Sequence, residues 1–354
     1  MEPKGLRLDA VQEWMARSGV EVDVTAGLTA TLLAGGRSNV SYRLEDAAGR
    51  RWVLRRPPLG HVLPSAHDMG REYRVLSGLG SVGFPVPGAV AFGDDEDIIG
   101  AQFMLMTFVD GPVIDSSAKA AALEDPADVS GALIDTLADL HDVDPVDAGL
   151  AELGRPDGYL SRQVGRWGRQ WELTKTRELP QLNGLHDELT RRIDGLKPSR
   201  ASIVHGDYRL DNVILHPSEP RVRAVVDWEM STLGDPVMDL AVTLVYWTDP
   251  GDGRRAAVPV AQHITDRPGF LSREQVIERY AARSGAPIEN LDFCSALACF
   301  KLAVIMESIL ARSLQGQQLG AGADEVDGMR LATEALTDLG HAVLQYGTVA
   351  GLSS

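Results

Sequence analysis

Residues 205–212 read HGDYRLDN and residues 225–229 read VVDWE, and these two stretches carry the strongest structural signal in the chain. The first lies between two apolar runs and is predicted to be a loop that holds Asp207 and Asn212 five positions apart. Asp227 follows the apolar run AVV and is predicted to lie at the end of a strand. Strand ends and their loops are where a rigid scaffold presents polar side chains to solvent.

These side chains match the needs of phosphoryl transfer from ATP. The reaction requires one carboxylate to position a hydroxyl group, and oxygen ligands that hold Mg²⁺ against the phosphates. Asp207, Asn212 and Asp227 supply these parts in that order. An isolated His-x-Asp would favour a hydrogen-bonded turn, but the additional Asn and the second Asp argue for a site.

The N-terminal third of the chain is predicted to be rich in strands. Residues 6–18 space their apolar side chains as an amphipathic helix does. Strand-like runs at residues 40–44 and 51–55 flank a turn, and two further strands flank the acidic turn at residues 94–97. The stretch REYRVL, at residues 71–76, belongs to a short helix. Four or five strands therefore form a small, mostly antiparallel lobe.

After residue 111 the pattern becomes helical. Apolar side chains recur with helical spacing in residues 133–140, 160–174, 185–195, 236–247, 272–283, 290–314 and 324–345. A length of 354 residues favours two domains or lobes. We predict an α+β fold with a small β-rich N-terminal lobe at residues 1–108 and a larger, mostly helical C-terminal lobe at residues 109–354.

Charge and cysteine usage exclude several classes of protein. The net charge of −16 would repel a nucleic-acid backbone. The longest uncharged run, residues 75–93, contains five glycines and two prolines, so it is not the continuous apolar stretch of roughly 18 residues that spans a bilayer. Cys294 and Cys299 lie on different faces of one predicted helix, so we expect no disulfide between them. With no secretory signal visible, we expect a cytoplasmic protein without a nucleic-acid or membrane partner.

The negative charge is concentrated in one segment. Residues 94–147 carry a net charge of −13, whereas residues 37–74 carry +4. An acidic segment suits a cationic ligand or a solubilising surface. The solubilising surface is the preferred interpretation, because much of the segment is predicted to face solvent. The positive segment suits a polyanionic nucleotide, and the change of sign marks the boundary between the lobes.

HGDYRLDN resembles the catalytic loop H-R-D-x-x-x-x-N of protein kinases, and VVDWE stands where those enzymes have D-F-G. The chain is similar to the aminoglycoside phosphotransferase and choline kinase-like family, which implies a bilobal protein-kinase-like fold and the cofactors ATP and Mg²⁺. The resemblance assigns the acceptor hydroxyl to Asp207 and Mg²⁺ to Asn212 and Asp227. It makes His205 a brace of the loop and Asp235, in the GDPVMDL segment, a stabilising residue. Asp235 and Asp239 have an alternative interpretation as acids at a helix N-terminus.

The resemblance places the nucleotide in the N-terminal lobe and the acceptor site in the C-terminal lobe. GGRSN is similar to the Gly/Ser-rich phosphate loop of the family, which implies phosphate contacts from Gly35, Gly36, Ser38 and Asn39. FMLMTFVDG resembles the segment that joins the lobes. There the backbone of Thr107 and Val109 would hydrogen-bond adenine.

Protein kinases carry a lysine on their third strand, but the WVLRR stretch here has none. Strand alternation puts Arg55 on the same face as Val53, and Trp52, Leu54 and Arg56 on the other. We therefore predict that Arg55 replaces the lysine and pairs with Glu72 of the REYRVL helix. An arginine stays charged and binds phosphate through its planar fork.

A narrower resemblance concerns the stretch VLRRPPLGHVLPSAHDMGREYRVL. It is similar to the kinase-like domain fused to some acyl-CoA dehydrogenases, a group that also has arginine at the position of Arg55. That likeness implies a hydroxyacyl-CoA-like acceptor, in competition with an aminoglycoside or another amino-alcohol. Lys301 and Glu307 are candidates for facing the acceptor. Because they do not share a helix face, at least one is expected at the surface.

Two functional hypotheses follow. The first is a Mg²⁺-ATP-dependent phosphotransferase that acts on a hydroxyl group of a small molecule. The second is an inactive nucleotide-binding pseudokinase that serves as a partner or scaffold, since the usual lysine is missing. The oligomeric state and the acceptor stay open.

Overall fold

A computed structural model describes residues 3–33, 39–59, 68–197, 199–252, 263–315 and 323–353. The chain divides into two compact units. Unit 1 comprises Met1–Pro112, Val146–Leu150 and Arg223–Ser231, and unit 2 comprises Val113–Pro145, Ala151–Val222 and Thr232–Ser354. Two short segments from the later part of the chain thus return to the N-terminal unit.

Unit 1 is built on a five-stranded antiparallel sheet with the strand order β1-β2-β3-β5-β4. Its elements are α1 (Leu8–Arg17), β1 (Thr29–Leu32), β2 (Val40–Glu45), β3 (Arg51–Arg56), α2 (Met69–Ser81), β4 (Ala89–Gly93) and β5 (Phe103–Thr107). The predicted hairpin, the amphipathic first helix and the REYRVL helix are confirmed. In the turn between β2 and β3, the Asp46 carboxylate accepts hydrogen bonds from the amides of Ala48 and Arg50.

One face of this sheet carries the hydrophobic core of unit 1. Trp14 of α1 packs edge-on against Phe103 of β5, with 4.6 Å between the ring centroids. Trp52 and Leu54 of β3 belong to the same cluster, and Val53 does not. Alternation along β3 therefore sends Val53 and Arg55 to the opposite face.

Unit 2 is mostly helical. Its helices are α3 (Ser117–Ala121), α4 (Pro126–Asp142), α5 (Tyr159–Thr174), α6 (Pro180–Arg192), α7 (Pro236–Tyr246), α8 (Arg273–Ser284), α9 (Leu291–Leu314), α10 (Ala323–Tyr346) and α11 (Thr348–Leu352). Its short strands include β6 (Ser202–Val204), β7 (Val213–Leu215) and β9 (Thr232–Gly234), and β8 (Val222–Val225) leads into unit 1. β6 and β9 pair antiparallel, and this pairing anchors the strand that leads directly to residue 205.

Helix α9 forms the centre of unit 2. It is the one described helix long and apolar enough to cross a membrane, and 83% of that stretch is buried inside the protein. Burial of this degree is typical of a core helix. Cys294 and Cys299 of α9 are both buried and free, as the sequence predicts. Lys301 and Glu307 are both buried as well, so the expectation that one of them lies at the surface is wrong. The reason is that α9 is covered on nearly every side, and different helix faces no longer mean different exposure.

The acidic helix α4 is paired with arginines of α8. Asp135 contacts Arg279 at 2.7 Å, and one turn further Asp139 contacts Arg283 at 2.6 Å. All four side chains are between one third and about half exposed. Part of the acidic segment is therefore neutralised locally within unit 2.

Two arginines of α8 should differ sharply in their contribution to stability. Arg273 is fully buried, pairs with Asp252 and donates to the Trp247 carbonyl, so Arg273→Met leaves a buried carboxylate without its cation. We expect a loss of about 3–5 kcal/mol in the free energy of unfolding. Arg283→Met on the same helix should cost less than about 1 kcal/mol, because its ion pair is exposed. Chemical denaturation measures both values, and equal losses would contradict the assignment.

Candidate active site

The catalytic-loop candidate in unit 2 is held by one buried carboxylate. Asp239 of α7 accepts hydrogen bonds from the backbone amides of His205, at 2.6 Å, and Gly206, at 2.8 Å. Both amides belong to the loop that directly follows β6. Because Gly206 has φ +85°, a region that favours glycine, the chain can turn here and present residue 207.

A second set of contacts fixes the loop on both sides of this point. His205 is fully buried, and its Nδ1 accepts a hydrogen bond from the Asp207 amide at 3.2 Å. The Tyr208 hydroxyl donates to the Leu133 carbonyl of α4 at 2.8 Å, and Thr243 of α7 donates to the Tyr208 carbonyl at 2.9 Å. The loop backbone is thus anchored to two helices, and Asp207 projects from it with its side chain 23% exposed.

Asp239 itself is compensated by a histidine. Its carboxylate lies 3.3 Å from Nε2 of His141, and Nδ1 of His141 is 2.7 Å from the Tyr280 hydroxyl. Burial of Asp239 acts to raise the pKa of its carboxyl, but His141 and the loop amides outweigh burial and lower it. Asp239 therefore stays ionised inside the protein. Asp235, the other acid of this segment, caps α7 by accepting from the Val237 amide at 3.0 Å.

The side chain of Asn212 is oriented by the loop. Its Nδ2 donates to the Asp207 carbonyl at 2.9 Å, and among the described residues its Oδ1 has no hydrogen-bond partner. An amide bound through its nitrogen presents its carbonyl oxygen to a ligand. Arg209 lies beside the same group, with Nε 3.5 Å from the Asp207 carboxylate and 3.0 Å from that of Asp211.

In unit 1, a buried arginine gathers three carboxylates. Nε of Arg55 donates to Glu72 of α2 at 3.0 Å, which is the pairing predicted from strand alternation. Its terminal nitrogen donates to Asp227 and lies 3.8 Å from Glu229. Glu229 also accepts from Nδ2 of Asn39, at 2.9 Å. The two acids of VVDWE and the end of the predicted phosphate loop thus meet around one cation.

The electrostatics of this cluster are unbalanced, because one guanidinium faces three acids. Burial raises the pKa of Glu72 to about 7, although Arg55 acts in the opposite direction. Burial acts to lower the pKa of Arg55, but Glu72, Asp227 and Glu229 outweigh it and the pKa is raised. Arg55 therefore stays charged, and Glu72 is the group of the cluster that gains a proton near neutral pH.

Asp227 has an unusual backbone conformation. Its φ of 68° and ψ of 59° lie in the left-handed region, which few residues other than glycine adopt. It precedes a 3₁₀ turn at Trp228–Met230 and follows β8. Strained positions of this kind often occur at functional sites, where surrounding contacts hold them in place.

The remaining predicted nucleotide contacts have mixed outcomes. Gly35, Gly36 and Ser38 lie outside the described residues. The backbone amide of Thr107 donates to the Gly88 carbonyl at 2.9 Å, so its predicted contact with adenine would have to use the Thr107 carbonyl. The cause is the pairing of β5 with the chain that enters β4, which the sequence did not reveal. Val109 lies beyond β5 and is half-buried, so it remains available as the predicted contact.

The predicted magnesium ligands are oxygen donors of the right kind, but the described residues do not form a metal-binding cluster of acids. Among the described residues, no group of three or more His, Cys, Asp or Glu side chains is arranged to hold a metal ion. Magnesium usually takes only one or two protein carboxylates and completes its shell with water and substrate phosphates. The unpartnered Oδ1 of Asn212 and the carboxylate of Asp227 are oxygen donors of the required kind.

Sequence reasoning missed several residues of both clusters. From the sequence, Asp239 belongs to the GDPVMDL segment or is a helix-terminal charge, and Lys301 is a candidate for facing the acceptor. The contacts of Asp239 and Lys301 with the loop and the places of Glu229 and Arg209 in the clusters come only from the structure. The signal for Glu229 was its position two residues after Asp227. For Asp239 the only signal was an acid on an otherwise apolar helix, which is costly to bury without partners.

The two acids of α7 should affect stability differently. Asp239→Asn loses one acceptor and the charge that holds the amides of His205 and Gly206, whereas Asp235→Asn keeps a residue that can cap the helix. We expect Asp239→Asn to cost about 2–4 kcal/mol and to speed hydrogen exchange at residues 205–207. Asp235→Asn should cost less than about 1 kcal/mol. Slow exchange retained in Asp239→Asn would refute the anchoring role.

The contribution of Glu72 to stability should depend on pH. Its pKa is about 7 in the folded chain against 4.5 as the ordinary value, so the folded state holds the proton more tightly. That contribution is full below pH 4.5 and is lost as the pH rises through about 7. The free energy of unfolding of wild type minus that of Glu72→Gln should therefore decrease as the pH rises from about 5 to about 8.

Urea denaturation at several pH values measures this difference. The exposed Glu13 of α1, replaced by Gln, is the matched control in the same unit. A difference for Glu72→Gln that does not vary with pH would contradict the protonation of this buried carboxyl.

Comparison with known proteins gives the family. The model of the phosphotransferase enzyme family matches residues 29–272. The chain is 35% identical to acyl-CoA dehydrogenase family member 11 of Rattus norvegicus, over 84% of this chain and 38% of that protein. It is 33% identical to acyl-CoA dehydrogenase family member 10 of Mus musculus, over 86% of this chain and 28% of that protein. The chain thus spans about a third of the length of these relatives.

Solved structures agree. A proposed aminoglycoside phosphotransferase of Ralstonia eutropha is 30% identical, with a TM-score of 0.74 over 94% of this chain and 96% of that one. A thermostable aminoglycoside phosphotransferase, solved with AMP-PNP and hygromycin B, shares the fold at 15% identity, with a TM-score of 0.59 over 93% and 98% of the two chains. The predicted α+β, protein-kinase-like fold is confirmed, and the chain belongs to the phosphotransferase enzyme family.

Proposed function

We propose that the chain is a Mg²⁺-ATP-dependent phosphotransferase that moves the γ-phosphate to a hydroxyl group of a small molecule. The observation that carries the proposal is the loop around Asp207, whose backbone is fixed by Asp239 while its carboxylate remains accessible. A fixed, solvent-accessible carboxylate can orient an incoming hydroxyl group. The family membership supports the reaction class.

In this mechanism Asp207 accepts or orients the proton of the acceptor hydroxyl. A bond forms between the acceptor oxygen and the γ-phosphorus, the bond from that phosphorus to the bridging oxygen breaks, and ADP leaves with the electron pair. Positioning and charge stabilisation supply most of such catalysis, so the loop must hold Asp207 rigidly. The contacts of His205 and Asn212 with Asp207 serve that purpose.

Asn212 and Asp227 would hold Mg²⁺, which neutralises charge on the phosphates when it is bound. Arg55 would bind phosphate oxygens with the guanidinium nitrogens that Glu72 does not use. We assign Gly35, Gly36, Ser38 and Asn39 to the phosphates and the backbone of Thr107 and Val109 to the adenine base. These roles extend the family resemblance to this chain.

For the acceptor we retain two classes. Similarity to proteins named acyl-CoA dehydrogenase family members supports a hydroxyacyl-CoA-like acceptor. The fold shared with a phosphotransferase solved with hygromycin B supports an amino-alcohol. ATP consumption with a panel of hydroxylated compounds, from aminoglycosides to hydroxyacyl-CoA esters, distinguishes the two. A cytoplasmic location remains a prediction.

The alternative is a nucleotide-binding pseudokinase. The observation that favours it is the ion pair between Arg55 and Asp227. Arg55 stands where kinases have lysine, and here it occupies the carboxylate that is predicted to bind the metal. Stabilisation by Mg²⁺-ATP in a thermal-shift titration, without phosphate transfer to any acceptor and without ATP hydrolysis, would support the pseudokinase. Transfer to any member of the panel would exclude it.

Replacement of the carboxylate tests the leading proposal directly. Asp207→Asn should lower the rate of phosphate transfer by about 10²–10⁴-fold, because the amide cannot accept the hydroxyl proton. The dissociation constant for Mg²⁺-ATP should change little. Asp338→Asn, an exposed acid on α10, is the matched control and should keep full activity. Full turnover by Asp207→Asn would end the assignment.

A further inference from the structure

Lys301 of α9 is a buried lysine whose ammonium group reaches the catalytic loop. The residue is only 3% exposed, and its Nζ donates a hydrogen bond to the Gly206 carbonyl. Nζ also lies 5.8 Å from the centroid of the Trp167 ring. A buried ammonium group is costly unless it is paired, so this contact is specific and not incidental.

The contact completes a clamp on one residue, Gly206, through the two peptide groups on either side of it. The amide of Gly206 donates to Asp239, and the carbonyl of Gly206 accepts from Lys301. A residue with φ +85° is thus held on both its donor and its acceptor side. The next residue is Asp207, so rotation of the Gly206 carbonyl would swing the direction in which the Asp207 carboxylate points.

Lys301 also lies among charged groups. The charged groups that face it are Asp207 of the loop, Asp239 of α7, Arg166 of α5 and Arg209 of the loop. Burial lowers the pKa of Lys301, and the two aspartates oppose that effect. Asp239 is already compensated by His141 and by two amides. The two carboxylates therefore favour the charged form of the Lys301 side chain that donates to the Gly206 carbonyl.

We propose that Lys301 is a positioning residue, which holds the Gly206 carbonyl so that the Asp207 carboxylate faces the acceptor hydroxyl. The inference rests on the proposed function of Asp207. It assigns to the core helix α9 a part in catalysis that does not involve contact with substrate.

Two variants separate the hydrogen bond from packing. Lys301→Met keeps most of the volume and removes the donor and the charge, whereas Lys301→Arg keeps both. We expect Lys301→Met to lower kcat for phosphate release from Mg²⁺-ATP by about 10²-fold, because small misplacements of reacting groups have effects of that size. KM for Mg²⁺-ATP should change less than about threefold, since the hydrogen bond of Lys301 is made to the loop backbone and not to a predicted nucleotide ligand.

The separation of kcat from KM is the readout that a purely structural role would not produce, because a positioning residue lowers kcat while substrate binding is kept. Lys301→Arg, which keeps the hydrogen-bond donor, should restore most of kcat. Hydrogen exchange at Gly206 and Asp207 should speed up in Lys301→Met, and this measurement requires neither an acceptor nor turnover.

Ser308→Ala is the matched control on the same helix. Ser308 donates to the Val304 carbonyl of its own helix and is hydrogen-bonded to Thr174 of α5, so its replacement should leave kcat and loop exchange unchanged. Unchanged kcat and unchanged loop exchange in Lys301→Met would overturn the inference and leave the role of Asp207 intact. Full activity of Asp207→Asn would instead overturn the proposed function.

Discussion

The carboxylate of Asp239 is the interaction on which the candidate site in unit 2 depends. It binds two consecutive loop amides, and it remains ionised because His141 and those amides compensate its burial. Removing the carboxylate would leave buried amide donors without an acceptor, and the desolvation penalty of such donors exceeds the net free energy that the hydrogen bonds contribute. Asp239 of α7 therefore holds the loop backbone that positions Asp207, and Lys301 of α9 holds the next peptide group through the Gly206 carbonyl.

Unit 1 follows a different design, because its central group is a cation shared among acids. Arg55 is surrounded by Glu72, Asp227 and Glu229 and cannot neutralise all three. Burial is the main cause of the raised pKa of Glu72, and the neighbouring acids Asp227 and Glu229 add to it. A fork-shaped guanidinium can bridge two carboxylates at once, which a lysine would do only as a point charge. An arginine in place of the lysine thus changes how many carboxylates one cation links, and not only how strongly it binds each of them.

The acidity of the chain has a partly internal explanation. The segment with the strongest negative charge includes α4, and two of its acids form ion pairs with arginines of α8. Such exposed pairs add little stability individually. They do reduce the field that a cationic ligand would experience, so the net charge of −16 is weak support for an aminoglycoside acceptor.

The sequence by itself determined the order of elements, the antiparallel hairpin of unit 1, the loop with Asp207 and Asn212, and the choice of Arg55 as the partner of Glu72. These follow from local periodicity, turn chemistry and strand alternation, which act over a few residues. Only the tertiary structure decided that Lys301 and Glu307 are both buried, that the Thr107 amide is already bonded, and that Asp239 binds the loop. Those outcomes depend on which elements pack together. The physical reason is that the partners of a buried polar group are distant in sequence, as Gly206 is from Lys301, and local propensity carries no information about them.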